Sequence, residues 1–322
     1  MDSVLELGID QLVQCARRET TEPTVLPSIA HRRQGYIDST ELAGVFPLLH
    51  HVFETKCNGV PVKVFKPYEG EDMPIVVYFH GGCFVSGGFE THEQQLRQIA
   101  HLSGAIVIAV KYRLAPEYTY PCAHDDAFDA CDGIYQDCYR WGGNKEAIIL
   151  AGDSAGGHIA LITSLRLRDR AIWQPIKQIL IYPMLDATAS CESMDKYGEN
   201  YIITKAMLMS GLALYRGNVN AMHEEISPLF RTDWKGLPET HILTAEFDPL
   251  VDEGEMLYRH LRLAGVDAYC GRYFGVIHGF IQLSGISQSA QEALMHVAGL
   301  VRKGGGKITQ KYELRAMIRE MI

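Results

Sequence analysis

The stretch Gly152-Asp153-Ser154-Ala155-Gly156-Gly157 lies near the middle of this 322-residue chain and decides its fold. It contains the pattern G-x-S-x-G. The apolar run 146–151 before it predicts a strand, and the apolar periodicity of 158–168 predicts a helix after it. Strand, sharp turn and helix are the context in which this pattern forms a nucleophile elbow, where a side chain at Gly152 or Gly156 would collide with its neighbours. The alternative is a glycine-rich turn that merely joins a strand to a helix.

The elbow would project the Ser154 hydroxyl over the sheet, beside the positive end of a helix dipole. A serine hydroxyl is a weak nucleophile alone, so it needs a base and an orienting acid. In this architecture the chain order is Ser, then Asp or Glu, then His, each after a strand. The strand predicted over 240–245 leads to Asp248, which precedes a proline and so favours a loop. The strand predicted over 268–274 leads to His278, so Asp248 and His278 are the predicted acid and base.

Other acids and histidines near these positions suit the two roles less well. Asp252 has the position of a first-turn helix residue, where a carboxylate stabilises the helix dipole. Glu246 is better placed to brace the loop. His260 and His296 fall within predicted helices, which does not suit a base at the sheet edge. These four residues are the weaker alternatives.

Acyl transfer also needs hydrogen-bond donors for the developing oxyanion. One is expected from the backbone N–H of Ala155, and others from the loop His80-Gly81-Gly82-Cys83 that follows a predicted strand over 74–79. Cys83 occupies the third glycine position of an H-G-G-G pattern but keeps its backbone N–H. Its side chain is expected to narrow the acyl pocket or to restrict the loop. A nucleophilic Cys83 is the alternative, although no activating base is evident near it in the sequence.

Several short motifs follow one another over residues 60–300. They are His80-Gly81-Gly82, Tyr112-Arg113-Leu114-Ala115-Pro116-Glu117, Gly152 to Gly157, Ser227-Pro228-Leu229, Glu246 to Gly254 and His278-Gly279-Phe280. In content, order and separation they resemble the hormone-sensitive-lipase family of α/β-hydrolase carboxylesterases. The site residues that this resemblance implies are Ser154, Asp248 and His278 as the triad, with the N–H groups of Gly82, Cys83 and Ala155 as donors. Residues 112–117 and Asp126 would be structural.

The alternation of strands and helices from residue 75 onward predicts an α/β fold, a mostly parallel central sheet flanked by helices. The resemblance implies the α/β-hydrolase fold with a helical cap. Two earlier strands, 49–55 and 60–65, are joined by Asn58-Gly59, which signals a hairpin turn. The predicted organisation is an N-terminal cap segment (1–48), a catalytic domain (49–185 and 226–303), a cap insertion (186–225) and a C-terminal tail (304–322).

The cap would come from the N-terminal segment and the insertion. Residues 5–18 predict an amphipathic helix, followed by a polar, irregular stretch to about residue 48. In the insertion, residues 186–200 look irregular, and Thr204 is expected to begin a helix over 205–215. The cap residues proposed for the substrate pocket are Tyr201, Met207, Met209 and Leu212. The alternative for each is packing onto the core, because apolar residues at helical spacing usually do that.

Composition narrows the function further. The net charge of -9 and the pI near 5.8 argue against nucleic acid or an anionic membrane as partner. No run approaches the roughly 20 apolar residues of a membrane span, and the first residues lack a signal-peptide pattern, so a cytoplasmic location is expected. The eight cysteines show no C-x-x-C spacing, which favours reduced thiols. Neither a metal nor an organic cofactor is expected.

These observations predict a serine carboxylesterase for short- to medium-chain acyl esters, with a small-molecule ester as its partner. The same machinery could instead cleave an activated amide, as an amidase or formamidase. A third reading is a ligand-binding receptor of the same fold, but such receptors lack the catalytic histidine, whereas this chain has His278. The resemblance also suggests a homodimer.

Overall fold

One eight-stranded sheet forms the centre of the molecule, with strand order β1-β2-β4-β3-β5-β6-β7-β8. The computed structural model describes residues 4–19 and 26–304, so most of the predicted C-terminal tail lies outside the described residues. Strands β1, β2 and β4 pair antiparallel, and the other pairs are parallel. The strands are β1 (His51–Cys57), β2 (Val60–Lys66), β3 (Met73–Phe79), β4 (Ile106–Val110), β5 (Gly143–Asp153), β6 (Lys177–Ile181), β7 (Glu239–Phe247) and β8 (Ala268–Ile277).

Helices cover both faces of this sheet. They are α1 (Leu7–Glu19), α2 (Ile29–Asp38), α3 (Phe89–Ser103), α4 (Cys122–Asp137), α5 (Ala155–Arg170), α6 (Glu192–Tyr197), α7 (Lys205–Arg216), α8 (Val251–Leu263) and α9 (Gln288–Gly304). Alternate residues of a strand point to opposite faces. In β3, Ile75 and Val77 join a core with α4, α5 and α8, while Val76 and Tyr78 join a core with α1, α3 and α9. The predicted α/β fold with a mostly parallel sheet flanked by helices is confirmed.

Two local predictions agree closely with the structure. Asn58 and Gly59 join β1 to β2 and both have positive φ, 46° and 85°, as a tight hairpin turn requires. Thr204 caps α7, and its hydroxyl accepts a hydrogen bond from the N–H of Met207 at 3.2 Å. Both features depend on a few neighbouring residues, which explains why the sequence reveals them.

Two segments predicted to be irregular contain helices. Helix α2 and a 3₁₀ turn (Ser39–Ala43) occupy most of the stretch after α1, and α6 lies within 186–200. Helix α2 buries none of its residues, so it carries no apolar stripe that could announce it. Its start is fixed instead by Ser28, whose hydroxyl accepts from the N–H of His31. The domain boundaries themselves remain predictions.

No helix within the described ranges is long and apolar enough to cross a membrane.

The elbow glycines generate a stability prediction. A Cβ on Gly156 would overlap the carbonyl group of Phe79, so Gly156→Ala is expected to destabilise the fold by about 1–3 kcal/mol or more. Gly299 is the matched control, because it lies in α9 with open space where a Cβ would stand. Gly299→Ala should stabilise the helix by about 0.5–1 kcal/mol. Urea unfolding measures both changes, and equal effects would contradict the packing argument.

Candidate active site

The turn between β5 and α5 holds Ser154 in an unusual backbone conformation, with φ 56° and ψ −118°. Positive φ is uncommon outside glycine and persists only where surrounding structure enforces it. Here the Ser154 N–H donates to the carbonyl of Ile181 at 2.8 Å, and its carbonyl accepts from Met184 at 3.2 Å. Gly152 and Gly156 approach so closely that a Cβ on Gly152 would overlap the carbonyl of Gly156. The chain therefore has the geometry of a nucleophile elbow.

Three predicted residues meet at the carboxyl edge of the sheet. Nε2 of His278 lies 2.9 Å from Oγ of Ser154, and its Nδ1 lies 2.8 Å from Oδ2 of Asp248. Asp248 follows β7 and is fully buried, whereas Ser154 and His278 are 5% and 8% exposed. When Nδ1–H donates to Asp248, Nε2 is free to accept the serine proton. The arrangement can activate a hydroxyl for attack on a carbonyl carbon.

Neighbouring groups orient this relay. The N–H of Leu250 donates to Oδ1 of Asp248 at 2.7 Å, so the carboxylate is held from both oxygens. The ring of Tyr182 packs against the His278 ring with 4.7 Å between centroids. Tyr182 follows β6, and nothing in its sequence context marks it as part of the site.

The weaker alternatives have other contacts. Glu246 accepts a hydrogen bond from the N–H of Gly275 at 2.8 Å, which joins the ends of β7 and β8. Asp252 lies in the first turn of α8 and accepts from the N–H of Ser193 at 2.8 Å. His260 and His296 lie on α8 and α9.

The loop after β3 brings two backbone N–H groups to the same cavity. Gly82 and Cys83 line this cavity with Ser154, and no described residue accepts a hydrogen bond from either N–H. Both have positive φ, 120° and 55°. Ala155 is the first residue of α5, where N–H groups have no partner within the helix. These three donors have the chemistry that an oxyanion requires.

The Cys83 side chain points towards the cap helix α7. Its thiol donates to the carbonyl of Leu208 at 3.5 Å, and a Cβ on Gly211 would collide with its sulfur. Burial raises the pKa of Cys83 to about 11, with partial relief from the nearby Arg32. A thiol with this pKa is protonated at neutral pH and is a poor nucleophile.

The carboxylate of Asp153, next to Ser154, holds the loop after β3 in place. Its Oδ1 accepts from the N–H of Gly81 at 3.0 Å and from the hydroxyl of Tyr78 at 2.9 Å, and lies 3.1 Å from Nε2 of His92. Burial alone would raise the pKa of Asp153, but the charge and hydrogen bond of His92 and the bond from Tyr78 outweigh it and lower the pKa. The carboxylate therefore stays ionised and links the elbow to the loop after β3.

The same network reaches the cap. Nε2 of Gln282 lies 2.7 Å from both the ring of His92 and the hydroxyl of Tyr36, which is on α2. The sequence reasoning missed Asp153, His92 and Tyr36 as contributors. Asp153 stands inside the decisive motif, but His92 and Tyr36 reach the site through tertiary contacts alone.

The blocks that the resemblance treats as structural do support this loop. The Tyr112 hydroxyl donates to the carbonyl of His80 at 2.6 Å, and the two rings stack. Arg113 forms an ion pair with Asp126 at 2.7 Å.

A cavity of about 370 Å³ opens above Ser154 between the sheet edge and the cap helices. Of the four predicted pocket residues, Met207 lines it. Tyr201 instead packs on Phe247, while Met209 and Leu212, which also lie on α7, pack into the core. The structure thus favours the packing alternative for these three. The aliphatic cap residues that line the cavity are Leu12, Pro27, Leu42, Ile202, Ile203, Met207 and Leu208.

Within the described residues no group of three or more His, Cys, Asp or Glu side chains is arranged to hold a metal ion.

Comparison with known proteins agrees with this geometry. The family model described as the alpha/beta hydrolase fold matches residues 76–282. The chain belongs to this family. Its similarity to carboxylesterase NlhH of Mycobacterium tuberculosis is 31% identity over 293 residues, covering 89% of this chain and 86% of that protein. The ethyl acetate hydrolase of Pseudomonas putida is 32% identical over 74% of this α/β hydrolase and 76% of its own length.

Solved structures give the same result. The hyperthermophilic esterase from the archaeon Pyrobaculum calidifontis superposes with a TM-score of 0.87 at 35% identity, covering 93% of this α/β hydrolase and 98% of that chain. A thermostable esterase from Pseudomonas putida gives a TM-score of 0.88 at 26% identity, covering 95% and 99%. The resemblance to the hormone-sensitive-lipase group of esterases is therefore confirmed.

The buried His80 generates a pH prediction. Burial, and then the nearby His92, lower the pKa of His80 to about 3, whereas an unfolded histidine has a pKa of about 6.5. Between these values the unfolded chain binds a proton that the folded chain excludes, so stability falls as the pH falls. From pH 6.5 to 4.5 we expect His80 to account for about 2–3 kcal/mol of lost stability. Urea unfolding at both pH values should show a smaller loss for His80→Gln, and equal losses would contradict the assignment.

Proposed function

We propose that this α/β hydrolase is a serine carboxylesterase that cleaves short- to medium-chain acyl esters through an acyl-enzyme intermediate. Oγ of Ser154 attacks the ester carbonyl carbon while Nε2 of His278 takes the hydroxyl proton. Asp248 holds the Nδ1–H tautomer and stabilises the imidazolium that forms. The backbone N–H groups of Gly82, Cys83 and Ala155 donate to the oxyanion of the tetrahedral intermediate.

The proton that His278 has taken is then passed to the leaving group, and water later completes the cycle. His278 protonates the leaving alcohol as the C–O bond breaks, which leaves the acyl group on Ser154. Water then attacks the acyl carbonyl carbon and gives a proton to His278. The carboxylic acid leaves when the proton returns to the serine oxygen, and the free enzyme is restored.

The observation that carries this proposal is the hydrogen-bonded relay of 2.9 Å and 2.8 Å from Ser154 through His278 to Asp248. A ligand-binding receptor has no need of such a relay beside a strained serine. The names of the relatives, a carboxylesterase and an ethyl acetate hydrolase, favour esters over amides. The cavity supports a substrate of modest size, because its wall is largely apolar and its volume is about 370 Å³.

The nucleophile is tested by Ser154→Ala. Because residual catalysis would rest on binding and the oxyanion donors alone, kcat for an ester should fall by roughly 10⁴–10⁶-fold. Wild-type protein should also be labelled covalently by a fluorophosphonate, and the variant should not. The matched control is Ser164→Ala, also on α5, whose buried hydroxyl has no hydrogen-bond partner in the described structure. Full labelling of Ser154→Ala would overturn the proposal, as would an equal loss in the control.

Acyl preference is tested with p-nitrophenyl esters of increasing chain length. We expect kcat/KM to be highest for short acyl chains and to fall once the chain exceeds the cavity. The corresponding p-nitroanilide of the preferred acyl group separates esterase from amidase activity. Highest activity on long-chain esters, or faster anilide cleavage, would contradict the substrate assignment.

A further inference from the structure

One arginine faces the cavity above the nucleophile. Arg32 lies on α2 and lines the cavity together with Ser154 and His278. It is partly buried, and its Nη2 donates to the carbonyl of Met207 on α7 at 3.1 Å. The cation is thus held between the two cap helices, beside Cys83 of the oxyanion loop.

The next residue shows what a structural arginine looks like on the same helix. Arg33 forms a bidentate pair with Glu117, at 2.6 Å and 2.8 Å, and also donates to the carbonyls of Val85 and Ala115. Arg32 forms no such ion pair, since no carboxylate of the described residues lies within ion-pair distance of it. A guanidinium offers five N–H donors, and a carbonyl uses only a fraction of them.

The cavity itself does not neutralise this charge. Asp153 is the only carboxylate among its lining residues within the described ranges, and that group is buried and engaged by Gly81, Tyr78 and His92. Most of the remaining wall is apolar, which weakens solvent screening of a charge placed there. An arginine fork in such surroundings matches the geometry of a carboxylate.

We propose that Arg32 binds a carboxylate of the substrate, so that the preferred substrates are esters carrying a second, anionic group. This inference rests on the proposed esterase function and adds the substrate class. The carboxylate belongs either to the acyl part, as in a monoester of a dicarboxylic acid, or to the alcohol part, as in an O-acylated hydroxy acid. The overall charge of -9 would repel such substrates, so any preference for them has to come from a local cation.

The test compares anionic esters with isosteric neutral ones in two arms. The acyl arm pairs monomethyl glutarate with methyl 5-methylhexanoate, and the alcohol arm pairs 4-acetoxybutanoate with 4-methylpentyl acetate. In each arm the quantity measured is the ratio of kcat/KM for the anionic ester to that for the neutral ester. Acid release is followed at constant pH near neutrality, where the carboxylates are ionised.

We expect Arg32→Met to lower this ratio by about tenfold or more in one arm, which identifies the part that carries the carboxylate. Arg32→Lys keeps the charge without the fork and should give an intermediate ratio. The control for net charge is Arg140→Met. Arg140 is an exposed residue just before the amino end of β5, the edge of the sheet opposite Ser154, and its replacement should leave the wild-type ratio unchanged.

Three outcomes would overturn the inference. If Arg32 only joins the cap helices, Arg32→Met slows both esters equally and the ratio stays constant. If Arg140→Met lowers the ratio as much, the effect is one of overall charge. If wild-type protein cleaves no ester in either arm, the proposed function fails and this inference fails with it. If wild-type protein cleaves the neutral esters but Arg32→Met leaves both ratios unchanged, the Arg32 assignment is rejected and the proposed esterase function stands.

Discussion

The left-handed backbone of Ser154 is the constraint on which the rest of the site depends. With φ at 56°, this single residue turns the chain from β5 into α5 and leaves its hydroxyl at the carboxyl edge of the sheet. Strain of this kind costs about 1–3 kcal/mol and persists only if neighbours enforce it. Gly152 and Gly156 make this possible, because backbone atoms occupy the space that their side chains would need.

The elbow also holds the loop after β3, through the residue that precedes Ser154. The Asp153 carboxylate accepts a hydrogen bond from the N–H of Gly81. Because Gly82 and Cys83 follow Gly81 in the loop, this bond ties their positions to that of Ser154. A carboxylate buried this deeply would be costly if it were unpaired, and its contacts with Gly81, Tyr78 and His92 offset that cost. One buried carboxylate therefore connects the turn at Ser154 with the loop that carries the N–H groups of Gly82 and Cys83.

Sequence reasoning succeeds where a few adjacent residues determine the structure. The elbow, the turn at Asn58-Gly59 and the Thr204 cap are all of this kind, and the parallel sheet follows from alternating patterns. The order of Ser154, Asp248 and His278 adds a topological rule, since parallel strands end at one edge. Sequence reasoning fails for α2, which buries no residue that could reveal it. For Met209 and Leu212 it leaves two readings open, because helical periodicity does not tell which apolar face meets the core and which meets a cavity. Tyr201 precedes α7 and stacks on Phe247, a tertiary contact that the local sequence does not reveal.

Cys83 shows how one departure from a glycine pattern is accommodated elsewhere in the fold. Cys83 has a φ of 55°, in the region that glycine adopts most readily. It projects against α7 at Gly211, the point where any larger residue would collide with its sulfur. The absence of a side chain at Gly211 leaves the space that the Cys83 thiol fills between the loop and α7. Since Arg32 also joins this contact from α2, the shape of the cavity above Ser154 and the charge beside it depend on the same junction of the loop, α2 and α7.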